Sequence, residues 1–311
     1  MRTRAYTAAS RRTPRKRKPA RLLGYLAGNR LAAIGGLQSG IVTAAVNTRS
    51  RAGPLLREWR KRQRLSQLEL ALDAGISARH LSFIETGRSR PSAQMLLLLA
   101  EQLEIPFRER NHLLLAGGYA PAFPQRSLED PELTPVREAL DLILTGHEPY
   151  PAVVLDRYWN VVAGNAAMGA VAALVDEDLL DPPVNAMRVG LHPRGLARSI
   201  VNLGEVSAYF VGRLERQVAL TGDDKLAALL EEVNAYPAPE YRHDPAAVAA
   251  AGEILTPLMR LRAPDGRELS FFATVATFGT AAEVTTSELS IELAFPADAA
   301  TAEMLGNLPR R

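Results

Sequence analysis

The sequence predicts two unlike domains: an all-α domain of five helices over residues 53–118, then an α+β domain with an antiparallel sheet over 135–308. Three observations predict this. Between 55 and 116 the apolar residues recur at helical spacing and are punctuated by capping residues. Beyond 150, short strand-like runs alternate with helical ones, and Pro264-Asp265-Gly266 supplies a turn between two apolar runs. Charge also changes along the chain. Residues 1–57 carry thirteen basic and no acidic residues, 58–126 are net +3, and 127–311 are net −13. Opposite ends of such a chain suit different partners.

Composition narrows the class further. At 311 residues, 47% of them apolar, the chain has material for two cores. It has no cysteine, which excludes disulfides and thiolate zinc sites and fits a reducing compartment. Only four of its 37 basic residues are lysine, a bias that suits a GC-rich bacterial genome. The longest apolar stretch, 22–46, is interrupted by Asn29, Arg30 and Gln38, so no membrane span is expected. Arg11-Arg12 is followed by Thr13-Pro14 where an export signal needs apolar residues.

Residues 1–52 read as a basic disordered arm, rich in Arg, Ser, Thr, Pro and Gly. Its run Arg15-Lys16-Arg17-Lys18 either touches phosphates or remains a solvated tail. Pro54 suits the first turn of helix one, in which Leu55, Leu56 and Trp59 repeat at helical spacing. Ser66 and Glu69 form a capping box for helix two. Ser77 caps helix three, and Gly87 closes it. Ser92 caps helix four, over 93–103, and Pro106 opens helix five, which ends at Gly117-Gly118. The prolines of 119–134 mark a linker or a wrapped connection. After it come a helix over 136–144, strands over 152–155 and 158–163 around an Asp156-Arg157 turn, and a helix over 165–175. A long helix at 196–220, a shorter one at 224–234, strands at 254–261, 269–278 and 288–295, and a last helix at 299–305 complete the chain.

Residues 64–91 meet the demands of a helix-turn-helix in one register. Ala74-Gly75 allows the tight turn, and Leu68, Ala71, Leu81 and Ile84 are expected to form the shared core. The outward face of helix three carries short polar and basic groups of a size that enters a major groove.

This segment resembles the repressor-type, xenobiotic-response-element family of helix-turn-helix regulators. Leu65-Ser66-Gln67 matches that family's entry to helix two. Leu81-Ser82, Ile84-Glu85, Gly87, Arg88 and Pro91 match its helix three and exit. The resemblance implies double-stranded DNA as partner and assigns roles. Gln67 clamps a phosphate or braces the recognition helix. Ser77, Ala78 and Arg79 lie nearest base edges, with Arg79 suited to bidentate reading of guanine. His80 and Ser82 reach bases or backbone. Phe83 has two readings, a thymine-methyl contact or a partly buried core aromatic. Thr86, Arg88 and Arg90 in the exit loop hold phosphates, which orient without specifying. Arg60 and Glu85 form a structural ion pair.

The acidic half holds no glycine-rich phosphate loop and no catalytic or metal-ligand motif; His147, His192 and His243 stand far apart. No catalytic residue, metal or cofactor is assigned to it. The residues His147-Glu148-Pro149-Tyr150-Pro151-Ala152-Val153-Val154, with Asp156, Trp159, Asn160, Asn165, Asn185-Ala186-Met187-Arg188 and His192-Pro193, are similar to the MmyB-like regulators. That resemblance implies a PAS-like ligand-binding domain with a pocket for an apolar, fatty-acid-like molecule. Val154, Trp159, Phe210, Leu214, Phe271 and Phe278 are the expected wall. The expectation is then a ligand-responsive, homodimeric transcription regulator acting in the cytoplasm on nucleoid DNA, with no membrane contact and no enzymatic activity. Two rivals are an enzyme and a protein-interaction module, each fused to an autoregulatory helix-turn-helix.

Overall fold

The computed structural model describes residues 51–237 and 258–307. The basic arm, up to residue 50, and the start of the strand expected at 254 lie outside the described residues. Five helices open the described chain: α1 (Ala52–Arg62), α2 (Gln67–Asp73), α3 (Ala78–Glu85), α4 (Ala93–Gln102) and α5 (Phe107–Ala116). Their apolar faces meet in one core that includes Leu56, Leu70, Leu81, Ile84, Leu96 and Leu114. Helices this short are marginal alone, so tertiary packing and caps hold them. The caps are in place: Ser66 with Glu69 forms the reciprocal box, and the Ser77 and Ser92 hydroxyls accept from the N–H groups of His80 and Met95.

Two expectations about this domain are corrected. Leu68 is not a core residue: it is 60% exposed, as Leu72 is at 69%, while Leu70 and Ala71 face inward. The domain also begins earlier than 53. Ala52 is fully buried, and the Arg51 N–H donates to the Ala116 carbonyl at 3.1 Å, closing α1 onto the end of α5. Gly53 lies so close to the end of α3 that a Cβ there would sit 2.2 Å from the Ile84 carbonyl oxygen. Only glycine permits that approach.

The connection at 119–134 is wrapped onto its neighbours. The Asn111 side chain accepts from the Ala122 and Phe123 N–H groups and donates to the Phe123 carbonyl at 2.7 Å, while Phe123 stacks on Phe107.

The second domain contains α6 (Thr134–Gly146), β1 (Ala152–Leu155), β2 (Val161–Gly164), α7 (Met168–Ala172), α8 (Ala186–Leu191), α9 (Leu203–Thr221), α10 (Asp224–Asn234), β3 (Met259–Arg262), β4 (Glu268–Thr277), α11 (Val284–Ser287), β5 (Ser290–Pro296) and α12 (Ala299–Gly306). The five strands form an antiparallel sheet in the order β2-β1-β5-β4-β3. This is the α+β architecture expected. The two faces of the sheet carry different cores, because side chains alternate along each strand. On the outer face α6 packs Leu140 and Leu144 against Val154, Val162 and Ile291. On the inner face Leu155, Phe271 and Leu261 meet α8, α9, α10 and their connections.

The helix expected over 196–220 is broken. A short 3-10 turn at Leu196–Arg198 precedes α9, and the residues between pair with β3: Val201 donates to the Arg260 carbonyl and Arg262 to the Ser199 carbonyl, both at 2.8 Å. The second strand begins at Val161 rather than 158, because Trp159 turns into the left-handed region at φ +65°.

Candidate DNA interface and small-molecule pocket

Helix α3 is fixed from beneath by a buried carboxylate. The Arg60 guanidinium donates to both Glu85 oxygens, Nε at 2.6 Å and Nη2 at 2.8 Å, and its Nη1 donates to the Leu65 carbonyl at 2.8 Å. Gln67 Nε2 adds a third donor to Glu85 at 2.8 Å. Thus α1, α2 and α3 converge on one carboxylate whose side chain is 0% exposed. Burial alone raises the pKa of Glu85, but the Arg60 and Gln67 hydrogen bonds and the charges of Arg60 and Arg57 outweigh it, leaving it below the usual carboxylate range. Of the two roles open to Gln67, the geometry supplies the brace.

The opposite face of α3 is open. Arg79 is exposed, and His80, Ser82 and Phe83 are half-buried. Phe83 stands outside the apolar core, and its ring lies between the guanidiniums of Arg79 and Arg88, 5.3 and 5.9 Å from its centroid. The core reading of Phe83 is therefore set aside. Ala78, by contrast, packs against the core. The Ser77 hydroxyl is occupied as the helix cap, and the Thr86 hydroxyl donates to the Ser82 carbonyl at 2.7 Å. Arg90 turns away to the end of α5, donating to the Gly117 carbonyl at 3.3 Å and lying over Tyr119. Arg79, Phe83 and Arg88 are thus grouped on one basic, partly aromatic face, and Arg90 stands apart from it.

In the second domain the inner face of the sheet lines a partly open apolar cavity of about 180 Å³. Its walls come from β1 (Val153), β4 (Phe271, Ala273), α8 (Met187) and α9 (Val206, Phe210), with Trp159 at one side. Three of the six expected wall residues, Trp159, Phe210 and Phe271, lie there. Val154, Leu214 and Phe278 do not: Val154 and Phe278 belong to the outer-face core under α6, and Leu214 packs with α10. Among the described residues that line it, Glu292 alone is charged, and its carboxylate accepts from Arg213 Nη1 at 2.7 Å. Among the described residues no group of three or more His, Asp and Glu is placed to hold a metal.

Between the two domains lies a second cleft of about 490 Å³ whose lining includes the charged and polar residues Glu109, Arg157, Arg213, Gln217 and Glu288. An ionic clasp closes one side of it. Arg108 on α5 binds Glu288 bidentately at 2.8 and 2.7 Å. Arg157 reaches Glu288 at 3.1 Å, Asp223 at 2.6 Å and Glu109 of α5 at 3.5 Å. Burial works against the Arg157 charge, yet Glu288 and Asp223 hold its pKa above the ordinary guanidinium value. Arg62 of α1 adds a bond to the Thr221 carbonyl at 3.1 Å. No sequence pattern marks these pairs, which lie up to 180 residues apart.

A braced helix-turn-helix joined to a domain with an apolar cavity defines a helix-turn-helix transcription regulator with a ligand-binding domain. Residues 56–110 match the helix-turn-helix family. Residues 136–308, more than half of the chain, match the family described as MmyB-like transcription regulator ligand binding domain, and the chain belongs to that family. A relative from Bacillus subtilis (strain 168), named uncharacterized HTH-type transcriptional regulator RghRB, is 36% identical over 81 residues, 26% of this chain and 56% of its own length. The chain thus spans about half of that relative. No described helix is long and apolar enough to cross a membrane.

Proposed function

We propose that this regulator binds a specific operator as a homodimer, and that an elongated apolar molecule of fatty-acid-like character in the cavity alters its hold on DNA. The α3 face carries the first half of this reading. Arg79 and Arg88 are exposed beside Phe83, so a guanidinium reads a base edge while its neighbour binds phosphate. The cavity carries the second half. Its lining is apolar except for Glu292, whose charge Arg213 already neutralises, so it favours an uncharged or weakly polar body over a polar metabolite. Two-fold pairing of the helical domains places two α3 helices about one DNA turn apart.

Native mass spectrometry of the purified full chain tests both halves at once. The expected result is a dimer mass with a co-purified small molecule that organic solvent extracts. A monomer with no adduct, and no change in DNA affinity on adding medium-chain acids or alcohols, would count against the reading.

A further inference from the structure

The apolar cavity and the interdomain cleft share one wall residue, Trp159. Its ring faces Phe210 on the cavity side, while its Nε1 donates to Gln217 at 2.9 Å, and the Arg213 guanidinium lies over it at 4.6 Å. Gln217 in turn donates to the Arg157 carbonyl at 2.7 Å. Trp159 sits in a turn held together by Asp156, which accepts from the N–H groups of Tyr158 and Asn160, both at 2.8 Å, and from the Asn160 side chain at 3.0 Å. The same turn carries Arg157, which reaches Glu109 of α5 at 3.5 Å beside the Arg108–Glu288 pair that joins the same two domains. Its backbone is strained at Trp159, where a bulky side chain occupies the left-handed region.

We infer that the 156–160 turn is the transmission element: occupation of the cavity moves Trp159 into the cleft, carries Arg157 off Glu109, its partner on α5, and loosens the hold on the helix-turn-helix domain. This rests on the ligand reading above and adds its regulation. At about 180 Å³ the cavity is smaller than the few hundred Å³ that ligand pockets commonly offer, so a guest seated wholly within it displaces a wall. Phe271, Leu196 and Val206 are backed by core packing, which resists displacement. Trp159 also belongs to a buried core cluster, but its far side borders the open cleft of about 490 Å³. The turn moves as a unit because Asp156 ties its two ends together, so the indole and the guanidinium travel together. A guest that binds better with the clasp open shifts the population toward that state.

The absence of cysteine allows a direct test. Spin labels are placed through Asp73→Cys on α2 and Leu142→Cys on α6, both exposed, in full chain diluted with unlabelled chain. The inter-label distance is measured with and without N-phenyl-1-naphthylamine, an uncharged apolar dye whose fluorescence reports uptake. The expected result is one narrow distance in the free protein and broadening of that peak on uptake. Arg157→Ala should broaden the peak without the dye, Glu288→Gln, which also releases Arg108, should lose it, both should still take up the dye, and Arg157→Lys should partly restore the narrow peak. Uptake with an unchanged distance, or a narrow peak in both clasp variants, overturns the inference and leaves the ligand reading standing. No uptake by the folded chain overturns the ligand reading, and the inference with it.

Discussion

Replacing Arg60 with leucine isolates the brace under the recognition helix. In the folded protein the Glu85 carboxylate has three donors within 2.8 Å, two of them from Arg60, and no solvent exposure. The Arg60→Leu variant leaves it one neutral donor, Gln67. Removing one partner of a buried ion pair costs about 3–5 kcal/mol, because the remaining charge is desolvated without compensation. Against a typical domain stability of about 5–15 kcal/mol, that is enough to leave a measurable fraction of the helical domain unfolded at room temperature. The assay is urea unfolding followed by Trp59, buried in α1, in a Trp159→Phe background so that a single indole reports. Acid adds a check of sign. The folded-state pKa of Glu85 lies below its unfolded value near 4.5, so its contribution is full above that value and is lost as pH falls through the folded pKa. In Arg60→Leu the carboxylate has lost its cation and its folded pKa rises above 4.5, so protonation on acidification relieves the variant. The gap between the two proteins should therefore narrow as pH falls from 6 toward 4. A loss below about 1 kcal/mol at neutral pH, or a gap that widens in acid, refutes the reasoning.

Three further outcomes are expected. Arg79→Ala should weaken operator binding by about 1–3 kcal/mol and relax selectivity at one base pair, measured by titrating a set of single-base operator variants; equal loss on all of them would make Arg79 a phosphate contact. Gly53→Ala should destabilise the helical domain by about 1–3 kcal/mol in the same urea assay, because the added methyl would lie 2.2 Å from the Ile84 carbonyl oxygen and must push α1 off α3. Deleting residues 1–50 should flatten the dependence of DNA affinity on salt if the basic arm neutralises phosphates, whereas an unchanged slope would assign it no part in binding.

The helical domain was legible because its signals are local. Ser66, Glu69, Ser77, Ser92 and Gly87 each act within a few residues, and the elements fall where these residues place them. The error at Leu68 shows where local reading stops. Helix α2 offers leucines at 68, 70 and 72, which point to different sides, and only the neighbours α1, α3 and α4 select Leu70. The strands gave the same lesson. Period-two alternation separates Val153 from Val154, and Phe271 from Phe278, but does not say which face of the sheet lines the cavity. That depends on α6 covering one side and α8 to α10 the other. The break before α9 and the clasp around Arg157 depend on partners far away in sequence, Arg260 at 59 positions from Val201 and Glu288 at 180 from Arg108, and local pattern carries neither.

In the proposed function, a short face of α3, braced by Arg60 and Glu85, reads DNA sequence for this MmyB-like regulator. Selection of binding sites from a random duplex library by the full chain tests it most directly, with an Arg79→Ala, Phe83→Ala double variant run in parallel. The expected result is an enriched two-fold motif with half-sites about 10 base pairs apart, and for the variant the same spacing with information lost at a matching position in each half. Enrichment of no motif by the full chain, or of an unchanged motif by the variant, would contradict it.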